Sequence, residues 1–322
     1  MLKKIFSEGK SRRHFLKSSS LLGGLAFLAP VANAFGKSKK SIELANNLGE
    51  LRFVHTAGLK GQSGPTLKGQ FGGLNDIAES LAEATFNGLK IDAGDFLDPS
   101  QSFSDNLEFV KNLSNYGLHL AGLGKTELDL SEDQLLELTK KATFSLVNTN
   151  YRFINPELDQ VINKHLIVNF GKYKMGVIAV ADEFGSLPKN VRNPIKSALR
   201  ESELLKSFHS CDMVVCLVNF DSNPDIQNPS IDRLAEKAEH IDFILSANTT
   251  STRPGLNLIK DRSGEDVLIS TVMDSGKYLG DFSVTFTPKY AKCMVANHSR
   301  IPGPKNQTQA TSIIHEISTQ SI

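Results

Sequence analysis

The sequence has no tryptophan, only three cysteines in 322 residues, and a formal net charge of only +1. Cys211, Cys216 and Cys293 lack the number and spacing of a disulfide framework or a zinc motif. Cys211 and Cys216 lie in or beside a strand-like run and read as small buried hydrophobes, with a disulfide to Cys293 left open. The charge total includes a basic N-terminus, so the remainder is slightly acidic and offers no electrostatic case for nucleic acid. No P-loop, Ser-His-Asp set or paired-cysteine redox motif is visible. The first apolar stretch, Leu21 to Val31, is too short for a stable membrane span.

What the N-terminus does contain is an address. Lys10-Ser11-Arg12-Arg13-His14-Phe15-Leu16-Lys17 carries paired arginines followed by an apolar pair. The Leu21 to Val31 stretch follows, and Ala32-Asn33-Ala34 supplies a small-x-small cleavage site. Residues 1–34 therefore read as a twin-arginine export signal. The expected destination is the periplasm or cell exterior, with a membrane met only during export. No cysteine follows the cleavage site, so a lipid anchor is not expected.

Residues 35–50 read as a linker rich in Lys, Ser and Asn without clear periodicity. From Leu51 onward, apolar runs of strand length recur: Leu51 to His55, Leu89 to Ala93, Leu118 to Leu123, Phe144 to Val147, Lys174 to Val180, Met213 to Val218 and Phe243 to Leu245. Helix-like segments lie between several of them: Gly73 to Thr85, Ser104 to Asn115, Ser131 to Lys141, Pro194 to Ser207 and Ser230 to His240. This alternation predicts an α/β domain over 51–288 with its functional loops at the C-terminal ends of the strands. The alternating Phe282-Ser283-Val284-Thr285-Phe286 suits a late strand of a second sheet, and 289–322 read as a polar tail.

Four loops follow apolar runs in an informative order. They are His55-Thr56-Ala57-Gly58-Leu59-Lys60-Gly61-Gln62, Asp92-Ala93-Gly94-Asp95-Phe96, Gly124-Lys125-Thr126-Glu127-Leu128-Asp129 and Ser246-Ala247-Asn248-Thr249-Thr250. The pattern resembles the secreted 5′-nucleotidase branch of the calcineurin-like metallophosphoesterase family from about Leu51 to about Thr287. The resemblance implies a four-layer α/β/β/α sandwich. In that family the loops read His-Thr-Asn-Asp-x-His-Gly, Gly-Asp-Phe, Gly-Asn-His-Glu-Phe-Asp and Gly-His-Thr-His, and a further His ends the strand after an Asp-Val-Val-Ile-like run. Here the corresponding ligand positions are Gly58, Lys60, Asp95, Lys125, Thr126, Asn219, Asn248 and Thr250. Asp95, which the resemblance implies would bridge two metals, is the one ligand that survives.

Those replacements bear on chemistry. A two-metal site needs carboxylate and imidazole ligands to hold two dications, activate a water and clamp phosphoryl oxygens. Gly and Thr cannot supply such ligands, and Lys is a cation with donors only. The resemblance implies two divalent metals, but the residues lead us to expect no resident cofactor, with a weak single metal at Asp95 as the remaining option. The favoured expectation is a catalytically inactive, exported member of the fold that binds or stabilises a partner, with Lys60, Lys125, Asn219 and Asn248 lining an anion-binding cleft. The alternative is a phosphoric ester or nucleotide hydrolase with an altered metal site around Asp95. Lys60 and Lys125 either replace the metal charge over Asp95 or point to water. Longer relatives of this branch carry a C-terminal domain that stacks the nucleobase on aromatic rings. The absence of tryptophan weighs against nucleotide recognition by this polypeptide alone, so a separately encoded domain of that kind, or another envelope protein, is the expected partner. Among the framing residues, Glu127 and Asp129 are expected to support the third loop, Asp92 to brace its strand end, His55 to frame the first loop, and His119 to satisfy a local hydrogen bond. Gly94, Gly122 and Gly124 are expected to make tight turns, and Gly72-Gly73 a turn before a helix.

Overall fold

In the computed structural model the described residues are 41–44, 50–65, 72–182, 190–220, 230–247, 255–272, 275–286, 292–300 and 313–318, with side chains left out at 190, 247, 292–300 and 313–318. Residues 1–34, read as a leader, the start of the expected linker, and Asn248 and Thr250 of the fourth loop lie outside them.

Two seven-stranded sheets dominate. The first contains, in spatial order, β1 (Ser41–Leu44), β7 (Leu166–Phe170), β8 (Tyr173–Ala181), β10 (Met213–Asn219), β11 (Phe243–Ala247), β13 (Asp266–Val272) and β12 (Gly255–Lys260). The second runs β16 (Ile313–Ser318), β15 (Lys292–Arg300), β14 (Tyr278–Phe286), β2 (Glu50–Thr56), β3 (Leu89–Asp92), β4 (Leu120–Gly122) and β5 (Ser145–Val147). A short ribbon pairs β6 (Tyr151–Arg152) with β9 (Asn190–Val191). The helices are α1 (Leu74–Glu83), α2 (Phe103–Tyr116), α3 (Lys125–Leu128), α4 (Glu132–Lys141), α5 (Pro156–Val161), α6 (Pro194–Ser207) and α7 (Ile231–Lys237).

The two-residue period of a strand produces the layers. Along β10, Met213, Val215 and Leu217 join one core cluster while Val214, Cys216 and Val218 join another. The first cluster also holds Leu51, Phe53, Ile91 and Phe282 of the second sheet, so it is the seam between the sheets. Phe53 stacks on Phe282 with centroids 4.9 Å apart, and Phe243 meets both edge-on. Ile195, Ala198 and Leu205 of α6 cover the outer face of the first sheet, and Leu234 and Ala235 of α7 pack beside them. On the second sheet, Leu74, Ile77, Phe109, Leu113, Leu135 and Leu138 of α1, α2 and α4 do the same. The result is the expected α/β/β/α sandwich.

Helix boundaries follow local chemistry. Ser102 caps α2 by accepting from Asp105 N, and Gly117 closes it at φ 77°. Asn193 caps α6 with Pro194 at its first position.

Three segments depart from the sequence reading. Ser41–Leu44, inside the expected linker, pairs in parallel with β7. The expected polar tail contains β15, which pairs antiparallel with β14, and β16, which pairs with β15. Of these, β1 and β16 are edge strands, held by main-chain pairing that leaves a weak trace in hydropathy. Cys211 and Cys216 are buried free thiols, and burial raises the Cys211 pKa to about 11.

Candidate functional site

The three described loops leave the C-terminal ends of the neighbouring parallel strands β2, β3 and β4, and the backbone joins the first two directly. Gly58 N donates to Gly94 O (2.8 Å), Lys60 N to Asp95 O (3.2 Å) and Gly61 N to Phe96 O (2.7 Å). Left-handed backbone makes this possible, at φ 61° for Gly58, 49° for Lys60, 115° for Gly94 and 58° for Asp95. The third loop presses onto the second. A Cβ on Gly124 would lie 2.6 Å from both Asp95 N and Asp95 Oδ1, and 2.5 Å from Asn219 Nδ2. Close approach therefore explains this glycine, while Gly94 needs its positive φ as well.

Glu127 ties the second and third loops together. Fully buried, it accepts from Gly124 N (2.8 Å) and Asp95 N (2.9 Å) on one oxygen, and from Leu97 N (3.0 Å) and Thr126 Oγ1 (2.7 Å) on the other. Asp95 is in turn held by two donors. Thr126 N donates to its Oδ1 at 2.9 Å, and Asn219 Nδ2 to its Oδ2 at 3.0 Å. Asn219 ends β10 of the opposite sheet, so this bond crosses the sandwich. A carboxylate can only accept, which fixes the amide group of Asn219 toward Asp95.

Burial raises the Glu127 pKa, and the nearby Asp95 charge adds to the rise; the bonds from Thr126, Leu97 and Gly124 act against it. Asp92 is also fully buried and is pushed up to about 7, chiefly by burial, although Thr56 Oγ1 (2.6 Å) and Gly94 N (2.8 Å) both donate to it. His55 is buried with Nε2 2.6 Å from Ser270 Oγ, joining β2 to β13. His119 Nδ1 accepts from Lys90 N at 3.0 Å. The amides at the start of α1 are used internally: Gly73 N donates to Ser275 O, Leu74 N to Gln62 O and Asn75 N to Ser63 O. Gly72-Gly73 is thus a close-packed turn.

A metal pair fits this donor set poorly. Both oxygens of Asp95 face neutral N–H donors, and both oxygens of Glu127 are taken by three N–H groups and a hydroxyl. Among the described residues, no group of three or more His, Cys, Asp and Glu side chains is placed to hold a metal ion. Lys60 and Lys125 are exposed, and the Lys60 charge contributes to lowering the Asp98 pKa, after the bonds from Ser100 and Gln101. Gly58, Lys60, Asp95, Lys125, Thr126 and Asn219 sit on the converging loops and strand end. The contribution of main-chain amides, above all Thr126 N, has no sequence signature because every residue type supplies one.

No protein-family model and no curated protein matches the chain in sequence. Structural comparison does find relatives of the fold. The 5′-nucleotidase precursor of Thermus thermophilus superposes with a TM-score of 0.66 at 18% identity, over 79% of this chain and 55% of that one. The NAD nucleotidase NadN of Haemophilus influenzae gives 0.63 at 18% identity, over 84% and 50%. The calcineurin-like phosphoesterase YfkN of Bacillus subtilis gives 0.56 at 16% identity, over 83% and 90%. This chain therefore has the fold of the calcineurin-like metallophosphoesterase domain. It spans about half the length of the two nucleotidases.

Proposed function

We propose that this protein is an exported metallophosphoesterase-fold protein that has given up two-metal phosphatase chemistry and acts by binding or stabilising a partner. The observation that carries the reading is the occupation of both Asp95 oxygens by Thr126 N and Asn219 Nδ2. Losing one metal ligand commonly weakens affinity sharply, and here Gly58, Lys60, Lys125, Thr126 and Asn219 all differ from the ligand that the resemblance implies at each position. The twin-arginine pattern at Arg12-Arg13 supports delivery to the periplasm or cell exterior. The partner this reading calls for is a separately encoded domain like the C-terminal part of longer nucleotidases, or another envelope protein. Lys60 and Lys125 beside the loop cluster suit an anionic group on that partner.

The test is metal content by mass spectrometry on protein purified from the envelope, paired with a phosphoesterase assay in added Mn²⁺, Zn²⁺ or Ca²⁺. The reading expects neither stoichiometric metal nor turnover. Two metals per chain, with turnover abolished by Asp95→Asn, would instead establish a nucleotide or phosphate-ester hydrolase with a rewired site.

A further inference from the structure

A second region of concentrated positive charge lies outside the Asp95 loops. The β6–β9 ribbon and the first turns of α6 frame an open pocket of about 290 Å³. Arg152, Arg192, Lys196 and Arg200 line it, against one carboxylate, Glu201. That carboxylate is already engaged, with Oε1 2.6 Å from His165 Nδ1. Arg152 donates to the Tyr151 carbonyl at 3.1 Å and shares the Asp159 charge with Lys164. Among the described residues, Arg192, Lys196 and Arg200 take part in no ion pair.

The local sequence concentrates these cations at some cost. Arg192 immediately precedes the Asn193 cap, and Lys196 and Arg200 stand four residues apart on one face of α6, where like charges repel. The first turn of α6 holds no acidic residue, so the positive end of the helix dipole adds to the same field. Antiparallel pairing of Arg152 with Asn190 brings a further guanidinium to the ribbon. The field extends beyond the pocket: Lys164 has a lowered pKa, mainly from burial, with the Arg152 and Arg192 charges lowering it further against the pull of Asp159. A multiply charged anion in the pocket would convert these repulsions into charge-assisted hydrogen bonds, and arginine forks match phosphoryl oxygens in geometry.

We propose that this pocket binds a small, multiply charged phosphate compound, of the class of pyrophosphate or a short phosphate ester, at a site separate from the Asp95 loops. The proposal rests on the pocket and its cations, independently of whether the Asp95 site binds metal. Pyrophosphate is the probe: titration calorimetry on the full chain at low ionic strength should give saturable binding that weakens as salt is raised. Arg192→Ala and Lys196→Ala change exposed side chains and should each weaken binding by about tenfold or more, and Lys196→Glu should weaken it further. Lys111→Ala, at an exposed lysine of α2 outside both regions, should leave binding unchanged, whereas Lys60→Ala and Lys125→Ala report any contribution from the Asp95 loops. Circular dichroism of each variant establishes that it is folded. The absence of binding by the parent protein up to about 10 mM pyrophosphate would overturn the proposal, as would binding lost in the Lys60 and Lys125 variants but retained in the α6 variants.

Discussion

Replacing Asp95 distinguishes a hydrogen-bonded anchor from a metal ligand. A hydrogen bond to a charged group contributes about 1.5–3 kcal/mol, and the partial exposure of Asp95 brings each of its two nearer about 1 kcal/mol. Those bonds, from Thr126 N at 2.9 Å and Asn219 Nδ2 at 3.0 Å, are both lost in Asp95→Ala. Alanine must also adopt the φ of 58° that Asp95 holds, at a further cost of about 1 kcal/mol. The Ala variant is therefore expected to lose about 3 kcal/mol of unfolding free energy. Asp95→Asn keeps a side chain that tolerates left-handed backbone, and its carbonyl can still accept from Thr126 N. Its amide can face Asn219 once that side chain turns its oxygen inward, and removing the charge eases the repulsion acting on Glu127. The Asn variant should remain within about 1 kcal/mol of the parent. Urea denaturation of the three proteins, in a chelator and again with Mn²⁺, measures both differences. Equal large losses in the two variants, or a parent protein strongly stabilised by Mn²⁺, would refute the reasoning.

Gly124→Ala should cost about 1–3 kcal/mol, because its Cβ would meet Asp95 N at 2.6 Å and Asn219 Nδ2 at 2.5 Å; a loss within experimental error would show that the loops separate freely. The raised pKa of Asp92 makes a pH prediction. The folded protein takes up that proton more readily than the unfolded chain, so the contribution is fully present below the ordinary 3.8 and is lost as pH rises through about 7. Melting at about pH 5 and about pH 8 should therefore differ less in Asp92→Asn than in the parent, and an unchanged difference would remove Asp92 as its source.

Much of the architecture was legible because buried strands carry their own pattern. Met213 to Val218 is apolar on both faces, and the expected strand there became β10, buried between α6 and the second sheet. Pro194 to Ser207 was visible as a helix-like segment between strand-like runs and became α6 with the same bounds. Ser41–Leu44 and Ile313–Ser318 were not, since short edge strands are held chiefly by main-chain bonds that any sequence can make. The basic pocket was equally hidden, because Arg152 and Lys196 are brought together by ribbon pairing and the start of a helix rather than by a motif.

Around the candidate site, residue order was enough to locate Asp95 among positions occupied by Gly58, Lys60, Lys125, Thr126 and Asn219, since loop positions after strands survive in the chain as spacing. Which groups occupy the two oxygens of Asp95 was a tertiary matter. The answer depends on β10 of one sheet ending against a loop of the other, which places the Asn219 amide 3.0 Å from a carboxylate 124 residues away in the chain. Linear spacing carries no record of that approach; packing of the two sheets against one core creates it.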